Sequence, residues 1–159
     1  MTATGNDRKT IRRFAWHEGI VTLSYLGRNR VNLDDWIERY RTAWEEADAD
    51  VVGEIFTEDA TYLSSPFGQA HRGREEIREY WRRATGSQSR VRVEMGQLVV
   101  DGRRVVVEWW AQLDDDGTPL TLPGALVLHF DAEGRCRALR EYYNLEVGRR
   151  IPPPEGWGS

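Results

Sequence analysis

The stretch Ile55–Gly73, IFTEDATYLSSPFGQAHRG, decides how the rest of the chain is read. Ile55 and Phe56 close a short helix, and Thr57-Glu58-Asp59 breaks it. Ala60 to Ser64 then suits a strand, because threonine, tyrosine and leucine fit a pleated, half-buried surface. Pro66-Phe67-Gly68 is a turn, since proline presets φ and glycine relaxes the backbone. Gly73 opens a new helix. Upstream of this hinge the chain reads as helix, and downstream mostly as strand. That order belongs to an α+β fold, in which the strand leaving the hinge lines the floor of a pocket.

Working upstream, Leu33 to Ala47 has Leu33, Trp36, Ile37, Tyr40, Ala43 and Trp44 at helical spacing, one broad apolar stripe. Asn32 is placed to cap it, and Asp34 and Asp35 sit in its first turn, where the helix dipole favours anions. Asp48 or Asp50 caps a second, short helix ending at Phe56, with Val51, Val52 and Ile55 inward. Residues 1–31 form a separate N-terminal extension, in which Gly19 to Gly27 is apolar enough for a short strand or a packed arm.

Downstream of Gly73, Ile77, Tyr80, Trp81 and Ala84 make the stripe of a third helix, and Gly86 stops it. Four strands follow. Arg90 to Val100 alternates, and Asp101-Gly102 is a two-residue hairpin turn. Arg104 to Leu113 is the next strand, with Asp114 to Gly117 as a looser, solvated turn. Leu120 to Phe130 is long, and Pro123-Gly124 marks a bulge or bend within it. Asp131 to Gly134 turns the chain into a last strand, Arg135 to Leu145. The Pro/Gly-rich tail, residues 148–159, cannot continue a sheet. Three helices must therefore cover one face of a curved, mostly antiparallel sheet. Such a sheet encloses a cone over residues 32–147.

Bulk properties narrow the function. The 159 residues suit one domain. A net charge of −4 argues against a general nucleic-acid binder. No apolar run approaches the roughly 18 residues of a membrane span. The N-terminal MTATGNDRKTIRRF lacks the apolar core of a secretory signal, so a cytoplasmic location is expected. Cys136 is the single cysteine, and no Cys/His cluster has metal spacing, so no metal site and no cofactor are expected. Seven tryptophans in so short a chain imply a heavy core or an aromatic-lined cavity.

Strand alternation sorts the faces. On the strand from Arg104, the wholly apolar set Val105, Val107, Trp109, Ala111 and Leu113 goes inward, leaving Glu108, Trp110 and Gln112 outside. On the next, Leu120, Leu122, Leu126, Leu128 and Phe130 go in and His129 out. On the last, Leu139, Glu141 and Tyr143 share the inner face, with Arg140 and Tyr142 outside. On the first, Tyr62 and Ser64 share a face with Ala60. Glu141 is then a carboxylate on an apolar wall near Tyr62, Tyr40 and Trp109. Desolvation raises a carboxyl pKa, which suits a general acid or base. The same residue also reads as a buried polar anchor bonded to a tyrosine. Trp36, Trp81 and Trp109 are core residues of which one or two wall a planar ligand, and His71 lies in a loop at the pocket mouth.

The pattern Trp36…Tyr40…Trp44, Ile55-Phe56-x-x-Asp59-Ala60, Pro66-x-Gly68, Gly73-x-x-x-Ile77-x-x-Tyr80-Trp81, Phe130-x-x-x-Gly134 and Arg140-x-Tyr142 resembles the NTF2-like (cystatin-like) superfamily. That group includes SnoaL-like polyketide cyclases, ketosteroid isomerases and limonene-epoxide-type hydrolases. Against the isomerases, Tyr40 matches the helix tyrosine, but the base position falls at Ser64 or Ser65 and the donor position at Leu126. Against the hydrolases, Tyr62 matches the strand tyrosine, Ser64 replaces an asparagine and Glu141 matches the last acid. The hydrolases' Arg-x-Asp pair has no counterpart within Glu108 to Ala111. The resemblance implies a cofactor-free acid/base enzyme, a cyclase, isomerase or hydrolase of secondary metabolism. Its substrate would be a hydrophobic polyketide, steroid-like or terpenoid molecule. Glu141, Tyr62, Tyr40 and Ser64 would carry the chemistry, and Trp36, Trp81, Trp109, Leu126, Tyr143 and His71 would bind substrate. The other reading is a non-catalytic small-molecule-binding or protein-assembly module. Relatives commonly dimerise through the outer sheet face, which carries Glu108, Trp110, Gln112, His129 and Tyr142 here, so a homodimer is expected.

Overall fold

The computed structural model describes residues 33–159. The N-terminal extension and its Gly19–Gly27 segment lie outside them. Helix α1 covers residues 33–46, and its stripe of Leu33, Trp36, Ile37, Tyr40, Ala43 and Trp44 is buried throughout. Ala47 ends it with φ of 56°, and the Asp48 amide returns to the Ala43 carbonyl at 2.8 Å. Asp48, rather than Asp50, caps α2 (Ala49–Ile55), accepting the amides of Asp50 and Val51.

The chain passes from α2 directly into β1 (Phe56–Leu63), because Phe56 is already extended. The expected break at Thr57-Glu58-Asp59 is instead a bulge within the strand. Register against the last long strand jumps between Phe56↔Cys136 and Thr61↔Ala138. Glu58 and Asp59 are exposed, so the extra residues project outward without disturbing the buried Ala60 and Tyr62. After the turn at Ser65–Gly68, β2 (His71–Arg72) pairs with Thr61 and Tyr62. His71 therefore belongs to a strand and not to a loop.

Helix α3 (Gly73–Thr85) buries Ile77, Trp81 and Thr85. Gly73 has φ of 76°, a left-handed conformation that glycine adopts without cost. The strand expected over Arg90–Val100 is two: β3 (Gln88–Met95) and β4 (Val99–Asp101). The hairpin at Asp101-Gly102-Arg103 leads to β5 (Arg104–Asp115). The next turn is tighter than its acidic sequence implies. Asp115 pairs with Thr118, and Asp116 and Gly117 both take positive φ, the conformation of the turns that suit strand twist. Asp114 is not in a solvated turn. It is buried and held between Arg90 and Arg150.

Strand β6 (Thr118–Phe130) pairs with β5 without interruption, so Pro123-Gly124 makes no bulge there. The break falls on the other side, where β7 (Cys136–Tyr143) gives way to β8 (Glu146–Val147) around the contact from the Asn144 amide to the Pro123 carbonyl, 3.0 Å. Gly124 serves close approach instead. A Cβ there would lie 2.5 Å from the Trp109 ring and 2.6 Å from the Tyr142 carbonyl oxygen.

The sheet runs β2-β1-β7-β6-β5-β3, antiparallel except for the parallel pair β1–β7. It is mixed, curved and unclosed, and the three helices lie across its concave side, an α+β cone. The tail does not extend the sheet but packs on its outer face. The Trp110 indole donates to the Ile151 carbonyl at 2.8 Å, the Thr121 hydroxyl to the Arg149 carbonyl at 2.8 Å, and the Gln97 amide to the Gly158 carbonyl at 2.8 Å. Trp157 lies edge-on to Trp110 at 5.9 Å. Trp110 is thus covered by the chain's own tail, and of the expected dimer face Glu108 and Tyr142 remain exposed. Among the described residues, no helix is long and apolar enough to cross a membrane.

Candidate active site

Alternation sends Ala111, Leu113 and Trp109 inward from β5, Leu120 and Leu122 from β6, and Leu139, Glu141 and Tyr143 from β7. The helices contribute Tyr40 and Trp44 from α1 and Tyr80, Trp81, Ala84 and Thr85 from α3. Where these two surfaces fail to meet, a cavity of about 240 Å³ remains. Aromatic side chains make up much of its wall. Trp44 packs edge-on to Trp109 at 5.0 Å and to Trp81 at 6.4 Å, and Trp81 edge-on to Tyr40 at 5.2 Å. Aromatic pairs prefer this geometry because ring edges are positive and faces negative.

Among the described residues, Glu141 is the one carboxylate buried against this wall, and only 6% of it is exposed. The Tyr62 hydroxyl donates to its Oε2 at 3.3 Å, and the Tyr40 and Tyr62 hydroxyls are 2.9 Å apart. Tyr62 has one hydroxyl hydrogen. With that hydrogen given to Glu141, Tyr40 must be the donor in the second bond. When Glu141 is ionised, the chain Tyr40→Tyr62→Glu141 therefore runs toward the acid. Burial pushes the Glu141 carboxyl up to about 7, and the Tyr62 hydrogen bond opposes this. Burial, then the nearby Glu141, raises the hydroxyls of both Tyr40 and Tyr62 well above the usual phenol range. Those two phenols stay protonated at neutral pH, whereas Glu141 is divided between its acid and its carboxylate.

Three of the remaining sequence-derived candidates line the cavity: Trp81, Trp109 and Tyr143. Four do not. Trp36 stands behind Tyr40, stacked on it at 5.2 Å, with its indole donated to the Ile55 carbonyl at 2.7 Å. Its spacing put it on the same helix face, but one turn further along the cone. Leu126 is fully buried in the core below the cavity. His71 stacks on the far side of the Tyr80 ring at 4.4 Å, which separates it from the cavity. Ser64 lies past the end of β1, beside the Tyr80 hydroxyl, which it lowers against a larger rise from burial.

Sequence reading passed over Tyr80, Trp44, Gln88 and Asp115 as site residues. Tyr80 is pushed up to about 12 by burial and by Glu141. It and Trp44 already sat on the inward stripes of their helices, which was the available signal. Gln88 and Asp115 face each other across the β3–β5 ladder at the end of the cavity away from Glu141. No sequence signal marked them, because that pairing exists only once the sheet forms.

A cone of curved sheet closed by three helices is the architecture of the NTF2-like superfamily. The sequence profile of the SnoaL-like domain matches residues 37–139, and the chain belongs to that family. No curated protein matches the chain. Among solved structures it is similar to SalBIII, an epoxide hydrolase/cyclase-like enzyme in pyran ring formation in the polyether salinomycin, with TM-score 0.66 and 24% identity over 74% of this chain and 97% of that one. A protein of ketosteroid isomerase-like fold from Catenulispora acidiphila, in complex with trimethylamine, gives TM-score 0.63 and 23% identity, covering 69% of this chain and 85% of the other. An LEH-like epoxide hydrolase of M. tuberculosis gives 0.61 and 22%, covering 72% and 84%. At these identities the likeness is one of fold.

Proposed function

We propose that the protein is an acid/base enzyme, a cyclase, isomerase or hydrolase acting on a small hydrophobic metabolite held in the cone. The observation that carries this is Glu141: buried, poised near neutral pH and fixed by the Tyr40–Tyr62 chain on a cavity wall. A general acid or base works best when its pKa lies near the working pH. Because Tyr62 occupies Oε2, proton transfer falls to Oε1. In the ring-closing form of the reaction, protonated Glu141 gives its proton to an epoxide oxygen as the C–O bond breaks. A substrate hydroxyl adds to the freed carbon, and its proton returns to Glu141. With water as the nucleophile the same steps give hydrolysis to a diol. The match of Glu141 to the hydrolases' last acid supports this reaction class, and the fold shared with an epoxide hydrolase/cyclase-like enzyme is compatible with it.

The cavity, about 240 Å³, lies just below the roughly 300–1,000 Å³ of sites for drug-sized ligands. It favours a terpenoid or a short polyketide over a full steroid nucleus. A non-catalytic binding module is the second reading. It draws on the lack of the hydrolases' Arg-x-Asp pair, which leaves Glu141 to work nearly alone. The two are separated by incubating the protein with hydrophobic epoxides, some carrying an internal hydroxyl, and following products by mass spectrometry. Glu141→Gln keeps shape and one acceptor but cannot exchange the proton, and should lose roughly 100-fold or more in rate. Turnover at an unchanged rate would remove Glu141 from the chemistry.

A homodimer through the uncovered part of the outer face is part of this proposal. Val106 and Tyr142 are 38% and 44% exposed there. Sedimentation at micromolar concentration should give twice the chain mass, and a monomer would overturn it.

A further inference from the structure

The cavity has a second polar station besides Glu141. Trp44 donates its indole N–H to Oε1 of Gln88 at 3.0 Å. That bond fixes which way round the Gln88 amide sits, since an indole can only donate. The NH2 group, with two donors, is left on the other side. Gln88 is the cross-strand partner of Asp115, so the two side chains stand on one face with their Cβ atoms roughly 5 Å apart. Asp115 accepts the Ser87 hydroxyl on Oδ1, which leaves Oδ2. Both residues line the same cavity as Glu141. Among the described residues, a donor pair and an acceptor without other partners therefore meet at one end of a mainly aromatic and aliphatic wall.

The two stations are far apart along the sheet. Glu141 is level with Leu126 on β6, and Asp115 with Thr118, eight residues away. Between them the wall is Leu120, Leu122, Leu113 and Trp109, with Trp44 and Trp81 opposite. A ligand lying along this wall would place its reacting group at Glu141, an apolar body between, and a second group between Gln88 and Asp115.

We propose that Gln88 and Asp115 form a specificity station for an alcohol, and that the substrate is an elongated hydrophobic molecule with a hydroxyl at the end remote from the reacting group. A hydroxyl satisfies both partners through one atom, accepting from the Gln88 NH2 and donating to Asp115. A ketone would satisfy Gln88 alone. An alkyl group would leave both unpaired, and a carboxylate would meet the Asp115 carboxylate charge to charge. This rests on the reading of the cone as a ligand site, but not on catalysis by Glu141.

The test uses binding, so it stands apart from turnover. Three rigid probes carry a phenol at one biphenyl end and hydroxymethyl, ethyl or carboxylate at the other. Calorimetric titration of the full chain should rank hydroxymethyl about 10-fold above ethyl, the ratio of one hydrogen bond that is made rather than lost. The carboxylate should bind weakest. Gln88→Leu should narrow the gap between hydroxymethyl and ethyl without closing it, since the donation to Asp115 remains. Asp115→Asn, which removes the charge and keeps the size, should admit the carboxylate at least 10-fold better while leaving the ethyl probe unchanged. Equal affinity for the three probes in the wild-type chain would overturn the alcohol station while leaving the ligand site standing. Failure of every probe to bind would overturn both. An Asp115→Asn variant that still rejects the carboxylate would show that Asp115 does not face the ligand.

Discussion

Glu141 lies in the folded protein with its carboxyl near pH 7, so removing its charge should stabilise the fold, and the gain should depend on pH in a defined way. The ordinary carboxyl value is 4.5, and burial lifts it to about 7. Below pH 4.5 the side chain is protonated in the folded and unfolded chains alike, and it contributes nothing to the pH dependence. Between 4.5 and 7 the unfolded chain releases its proton while the folded chain keeps it. The unfolded state then binds fewer protons, so stability falls as pH rises, and the loss is complete just above 7. At about 1.4 kcal/mol per pH unit, the full penalty is about 3 kcal/mol. Glu141→Gln has no proton to lose and still accepts from Tyr62. Urea unfolding of both proteins from pH 4 to pH 8 isolates this group, because every other titration is common to the two. The variant should gain on the wild type progressively through pH 5–7, by about 3 kcal/mol in total. A difference that stays flat across this range would refute the burial argument, and with it the poised acid on which the function rests.

Gly124→Ala should cost about 1–3 kcal/mol in thermal or urea unfolding, because the new methyl meets both the Trp109 ring and a fixed backbone oxygen. An unchanged melting temperature would mean that the Trp109 wall is softer than its packing implies. Deleting residues 152–159 removes Trp157 from Trp110 and the Gly158 carbonyl from the Gln97 amide, and should lower stability by about 1–2 kcal/mol. If the urea midpoint does not move, the tail is not part of the folded unit.

Local physics carried much of this structure in the chain itself. The stripe of α1, the alternation of β5, β6 and β7 and the hairpin at Asp101-Gly102 each follow from a period or a turn preference between near neighbours. Those periods also placed Glu141, Tyr62 and Tyr40 on inward faces, since a strand residue's face is determined by parity alone. Other features depend on groups distant in sequence, and only the tertiary structure decided them. Trp36 and Tyr40 share one helical stripe, yet only Tyr40 reaches the cavity, because the cone's curvature seats Trp36 on Ile55, Phe56 and Phe130. Thr57-Glu58-Asp59 has the composition of a break, yet pairing with β7 draws it into a strand and expels the excess as a bulge. The tail's residues have no sheet-forming preference, and it lies on Trp110 because the sheet offers an indole and a threonine hydroxyl that match its carbonyls. The chain by itself determined which side chains face inward. Which of them touch one another, and hence that Glu141 is poised and that Gln88 stands beside Asp115, was decided by sheet curvature and register, which no local window of sequence contains.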